Sequence, residues 1–182
     1  MESKIIIING PAGVGKTTIS KEVAKHGRNS ACIQGDHLRH YIVNSNKREV
    51  ETGLGYKNAA AVATNFINGG YELVVYDYIF EDKTSISKFA NNLKVNCPVY
   101  LFTLCADKET VRKREASRQS RERLGERVSE CYDSISKSRE ELGVIIETKE
   151  KTPQEIAIEV LKKVENKEGL LEYIISKQFQ GQ

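Results

Sequence analysis

Lys16 and Thr17 end the stretch Gly10-Pro11-Ala12-Gly13-Val14-Gly15-Lys16-Thr17. This is the spacing of a phosphate-binding loop: a glycine, four residues, then Gly-Lys-[Ser/Thr]. Glycines let the backbone curl until its N–H groups point inward at an anion, which a Cβ would hinder. Lys16 adds a charge that reaches β- and γ-phosphates, and Thr17 offers a hydroxyl to Mg²⁺. Thr18 lies at the start of the following helix, whose positive dipole end faces the same phosphates.

Two aspartates fall where they can join that chemistry. Asp36, in Gly35-Asp36-His37-Leu38-Arg39, directly follows a short apolar run. In open α/β sheets ligands bind at the carboxyl ends of strands, so Asp36 shares an edge with the phosphate loop. It can accept a proton from a substrate hydroxyl, hold Mg²⁺ through water, or simply cap the next helix. Arg39, one turn on, can grip a polar or anionic part of a substrate. Val74-Val75-Tyr76-Asp77 resembles a Walker B strand, with Asp77 placed to hold Mg²⁺ through water. Tyr78, not a carboxylate, follows it, so the water-activating arrangement of many motor and transport ATPases is missing.

The densest basic run holds Arg112, Lys113, Arg114, Arg118, Arg121, Arg123 and Arg127. Arg114 and Arg118 are four apart, on one face of a helix. Such arginines can stabilise charge on a phosphoryl group in transfer, and the polar stretch 119–125 ending in glycine has the character of a mobile lid. Glu109, Glu115, Glu122 and Glu126 interrupt the run, so a solvated, salt-bridged helix is the plainer alternative. With acids interleaved and no aromatics, nucleic-acid binding is disfavoured.

The elements that must position these groups alternate. Strand candidates are 4–9, 31–34, 72–76, 99–104 and 144–147. Helix candidates are 16–26, 57–67, 85–93, 107–117, 126–142 and 153–164, with Asn68-Gly69-Gly70 and Gly143 as stops and Thr152-Pro153 as a start. Residues 37–44 read as helical or irregular, and 168–178 as a short amphipathic helix. Alternating strands and helices imply an α/β fold, a parallel sheet with helices on both faces. The run 144–148 and the loop after it fall beside the phosphate loop, where adenine packs in such folds. Residues 44–55 are polar and suit a mobile substrate-side segment.

Composition bounds the rest. The chain has 182 residues, enough for one domain, and its net charge of +3 is too mild to imply nucleic acid. No apolar stretch approaches membrane-spanning length and no signal-peptide pattern opens the chain, so a cytoplasmic protein is the expectation. Cys32, Cys97, Cys105 and Cys131 are not spaced as metal ligands, and His26, His37 and His40 are scattered.

Together these features resemble the small P-loop kinases of the adenylate kinase-like group over residues 4–165. Within it the chain is most similar to gluconate kinase, chloramphenicol phosphotransferase and zeta-toxin-like proteins. Gly35-Asp36-His37-Leu38-Arg39-His40 also resembles the Gly-Asp-x-x-Arg-His stretch of adenylylsulfate kinases, whose later motifs are not apparent. The resemblance implies a P-loop NTPase three-layer sandwich, a five-stranded parallel sheet of order 2-3-1-4-5 with an arginine-bearing lid. It implies ATP with Mg²⁺ as donor and a small hydroxyl compound as acceptor. Lys16 and Thr17 then match the phosphate and Mg²⁺ contacts, Asp36 the aspartate near the acceptor hydroxyl, and Arg114 and Arg118 lid positions.

Departures narrow the substrate. Nucleoside monophosphate kinases carry Asp-Gly-[Phe/Tyr]-Pro-Arg after the third strand; here Asp77-Tyr78-Ile79-Phe80 speaks against that activity. Shikimate kinases carry a glycine triplet there, whereas Gly69-Gly70 precedes the strand. Asn46-Lys47-Arg48-Glu49 has the wrong fourth residue and the wrong location for the guanine motif of GTPases. The expectation is a kinase domain over 1–165 with a C-terminal helical extension over 166–182, acting on a small metabolite or xenobiotic as a monomer or homodimer. Its catalytic set is Lys16, Asp36, Arg114 and Arg118; Asp36 and Arg39 bind the acceptor, and Thr17 and Asp77 the metal. The rivals are a nucleotide-dependent switch without transfer, and a kinase of nucleic-acid ends or nucleotide-sugars.

Overall fold

A computed structural model describes residues 2–44, 52–116 and 126–171. Arg118, Arg121, Arg123, the 119–125 lid stretch, Asn46–Glu49 with most of the 44–55 segment, and 172–182 lie outside them.

Five strands, β1 (Lys4–Asn9), β2 (Ser30–Gln34), β3 (Leu73–Asp77), β4 (Val99–Cys105) and β5 (Val144–Glu147), form one sheet in the order β2-β3-β1-β4-β5. Every strand pair is parallel. The isoleucine run shows why β1 sits at the centre. Ile5 and Ile7 point into one apolar layer and Ile6 and Ile8 into the other, and all four are fully buried. A strand covered on both faces reads as a continuous apolar run, not an alternating one.

The helices are α1 (Lys16–Lys25), α2 (Gly35–His40), α3 (Leu54–Asn68), α4 (Lys83–Ala90), α5 (Lys108–Ala116), α6 (Arg127–Lys137) and α7 (Pro153–Glu165). Ile19, Val23 and Ala24 of α1 and Ile156, Ala157, Val160 and Val164 of α7 fill one layer; Ala59, Ala60, Ala63, Ile86 and Phe89 of α3 and α4 fill the other. Start signals hold where their chemistry is local. Thr152 and Glu155 form a reciprocal capping box at α7, with Pro153 in its first turn. Asp82 and Ser85 do the same for α4.

Boundaries differ from expectation by a few residues, as at α3, which begins at Leu54 behind a left-handed Gly53, and at α4, which ends at Ala90. The expected helix over 126–142 is α6 followed by a 3₁₀ turn, Arg139–Glu141. One expectation fails within the described residues: 168–171 is not helical. Gly169 takes φ +79, and the segment runs antiparallel to β4, with Leu101 N–H donating to Gly169 O at 2.8 Å and Leu171 N–H to Val99 O at 2.8 Å. β5 pairs only with the carboxyl half of β4, from Phe102 onward. The returning segment takes the half that β5 leaves open, and this pairing overrides the local helical spacing.

Candidate active site

The carboxyl ends of β1, β2 and β3 meet at one cavity of about 360 Å³. Gly13, Gly15, Lys16, Thr17, Thr18, Asp36, Asp77, Tyr78, Ile79 and Arg114 line it. Residues up to 101 positions apart in sequence converge there because β3 lies between β1 and β2, pairing Asp77 with Ile8 on one side and Gln34 on the other.

The phosphate loop is compact and internally bonded. Gly13 has φ +84, and a Cβ on it would lie 2.5 Å from the Val111 carbonyl oxygen, so the loop packs on α5 only with glycine there. Pro11, Ala12 and Val14 are buried, and Gly10 carries φ +141 at the turn out of β1. Lys16 Nζ donates to the Gly10 and Pro11 carbonyls at 2.8 and 3.0 Å, which holds the ammonium over the loop.

Asp77 is almost wholly buried, at 4 % exposure. Burial pushes its carboxyl up to about 6; Lys16 opposes the shift, Asp36 adds to it, and a hydrogen bond from Thr17 lowers it. Its Oδ2 has no hydrogen-bond partner among the described residues. A buried, orphaned carboxylate oxygen beside a threonine hydroxyl is a hard oxygen donor set, which fits Mg²⁺. Among the described residues no group of three His, Cys, Asp or Glu side chains gathers elsewhere. Mg²⁺ characteristically takes few protein ligands and completes its shell with water and phosphate oxygens, so two protein oxygens suffice.

Asp36 sits in the first turn of α2 and lines the cavity; Arg39 lies one turn on, exposed, and is not among the lining residues. The charges of Arg39 and of Arg127, at the start of α6, act electrostatically on the Tyr78 phenol. Burial raises the Tyr78 phenol, and Arg39 draws it back. Arg114 Nη1 reaches Val14 O at 3.5 Å and Thr148 Oγ1 at 3.4 Å, so it joins the phosphate loop to the turn after β5. Arg118 lies outside the described residues.

Two supports of the site were not read as such from the sequence. Asn9, the residue before the loop, is fully buried. Its Nδ2 donates to Phe80 O at 3.1 Å and Thr103 Oγ1 at 3.0 Å, and its Oδ1 accepts from Phe80 N–H at 2.8 Å. Thr103 Oγ1 passes the chain on to Leu142 O at 2.6 Å. Asn9 thereby pins the segment that carries Tyr78 and Ile79. The second support is Tyr78 itself, whose ring is 6.0 Å from Tyr76 at 10° and 5.6 Å from Tyr56, edge on. It covers Gly35, where a Cβ would meet Tyr78 Cδ2 at 2.2 Å. Its position directly after a strand-end aspartate was the available signal.

The fold recurs among solved structures. The tunicamycin resistance protein of Deinococcus radiodurans superposes with a TM-score of 0.66 at 17% identity, covering 90% of this chain and 96% of that one. A gluconokinase from Sinorhizobium meliloti gives 0.64 at 16% identity, over 100% and 98%. Shikimate kinase from Acinetobacter baumannii gives 0.60 at 19%, over 91% and 94%. Identities this low speak for the fold alone. No match was found among curated proteins. The parallel sheet of order 2-3-1-4-5 with its phosphate loop is thus the α/β fold of small P-loop kinases. Residues 5–141 match the family model described as an AAA domain, and the chain belongs to that family.

Proposed function

We propose that this protein transfers the γ-phosphoryl group of ATP to a hydroxyl of a small metabolite or xenobiotic. One observation carries the reading: Asp36 lines the same cavity as Lys16, Thr17 and Asp77, so a carboxylate faces the place where terminal phosphates would lie. A switch protein needs the phosphate loop and a metal aspartate but no carboxylate on the acceptor side. Names among the structural neighbours agree, including a gluconokinase, a shikimate kinase and a sugar kinase.

In this mechanism the loop amides and Lys16 hold the β- and γ-phosphates. Bound Mg²⁺ would neutralise phosphate charge, with Thr17 and Asp77 as its protein-side oxygens. Asp36 orients the acceptor hydroxyl and takes its proton as the oxygen attacks γ-phosphorus, while the bond to the β–γ bridging oxygen breaks and ADP leaves. Arg114 reaches over the loop between the phosphates and the base end of the nucleotide. Arg118 is proposed as a second lid arginine.

The test is transfer of label from γ-labelled ATP into a small-molecule extract by wild type and Asp36→Asn. The expected result is a labelled compound made by wild type only, with ATP binding retained in the variant. Free phosphate alone, released equally by both, would refute transfer and favour a nucleotide switch.

A further inference from the structure

In the mechanism above the loop residues, Lys16, Thr17, Asp77 and Arg114 meet the nucleotide and its metal, and Asp36 meets the hydroxyl. The remaining lining of the cavity is Tyr78 and Ile79, an aromatic ring and an aliphatic side chain. They lie beside the base. The Gly35 backbone, one residue before Asp36, is in contact with the Tyr78 ring: a Cβ there would sit 2.2 Å from Cδ2 and 2.9 Å from Cγ. A hydroxyl within reach of Asp36 therefore brings the carbon that carries it, and the body attached to that carbon, against this wall.

Apolar packing continues behind the wall. Ile79 packs on both apolar layers of the sheet, and Tyr78 on the layer that also receives Leu38 of α2 and Tyr56 of α3. Tyr56 meets Tyr78 edge on at 5.6 Å and stacks on Phe80 at 5.4 Å and 26°. Asn9 holds Phe80 by both its N–H and its carbonyl, so the wall is set before a ligand arrives. A preformed surface of this kind gains by covering apolar area. Apart from the phenol hydroxyl, its side chains offer a ligand no hydrogen bond, so polar groups pressed on it lose water without return.

We propose that the acceptor is an alcohol with an apolar body beside its hydroxyl, and that Tyr78 and Ile79 select it by covering that body. This rests on the kinase reading above. A small-molecule extract is split on a reversed-phase resin into retained and unretained fractions, and each is offered with γ-labelled ATP. The proposal expects label transfer in the retained fraction only. With the labelled acceptor in hand, Ile79→Thr and Tyr78→Asn are each expected to lower its kcat/KM about 10- to 100-fold, with KM for ATP within about twofold. Ile79→Leu and Tyr78→Phe, which keep the apolar bulk, are expected to recover most of that loss, so a failure to fold is not mistaken for a loss of contact. Transfer supported by the unretained fraction, an acceptor kcat/KM unmoved in Ile79→Thr, or a loss in Tyr78→Phe as large as in Tyr78→Asn overturns the apolar acceptor while the kinase stands. No transfer in either fraction overturns both.

Discussion

Replacing Asn9 by alanine tests whether the buried network before the phosphate loop holds the acceptor wall. The substitution removes three hydrogen bonds and leaves both the N–H and the carbonyl of Phe80 without their partner in a dry interior. Each stranded buried group costs about 1–3 kcal/mol. Thr103 Oγ1 keeps its bond to Leu142 O, so its loss is smaller. The sum is about 2–6 kcal/mol, out of about 5–15 kcal/mol for a whole domain. In urea unfolding the midpoint should fall with the slope unchanged, and the melting temperature should drop by about 4–24 °C, at about 2–4 °C per kcal/mol. Acceptor KM should rise as well, because Tyr78 and Ile79 hang from Phe80. Asn9→Asp should be no better at pH 7, since an ionised oxygen would face Phe80 O. It should recover in part as pH falls and the carboxyl regains a proton to donate. A loss below about 0.5 kcal/mol in Asn9→Ala would refute the network's role.

Further outcomes are open to measurement. Asp77 has a folded pKa raised from 3.8 to about 6, so between those values the metal-free folded protein holds a proton that the unfolded chain has lost. Its stability should therefore fall as pH rises through 6, and Asp77→Asn should stabilise metal-free protein at pH 7.5 by up to about 3 kcal/mol and at pH 4 hardly at all. Thermal melts in chelator at both pH values check this, and an equal gain at both would contradict it; the same variant should lose affinity for Mg²⁺ with ATP. Gly35→Ala should destabilise by about 1–3 kcal/mol through its clash with Tyr78, and Tyr78→Ala in the same chain should recover part of that. Arg114→Ala should weaken ATP more than acceptor, since it bonds to Val14 O in the phosphate loop and to Thr148; the two KM values separate the cases.

The phosphate loop was legible from local spacing and the parallel sheet with helices on both faces from strict alternation, while the strand order came from the resemblance to small P-loop kinases. The place of Asp36 at the cavity was legible because it lies two residues after a strand end. Asn9 was not, because its partners Phe80 and Thr103 lie 71 and 94 residues away and nothing beside it marks the pairing. Tyr78 was visible only as a departure from another family's pattern. Its use depends on a glycine 43 positions earlier that the topology brings under its ring. The segment at 168–171 was misread because its spacing suits a helix, while the vacant half of β4 rewards an extended chain more.

That last pairing has a consequence for how the protein comes into being. Leu101 and Val99 bond to residues about 70 positions later, so the lower edge of β4 has no strand beside it until the chain through Leu171 is available. During synthesis from the amino terminus the central strands have their neighbours well before this point. The nascent domain thus carries this half of β4 unzipped, and residues 169–171 are the stitch that closes it.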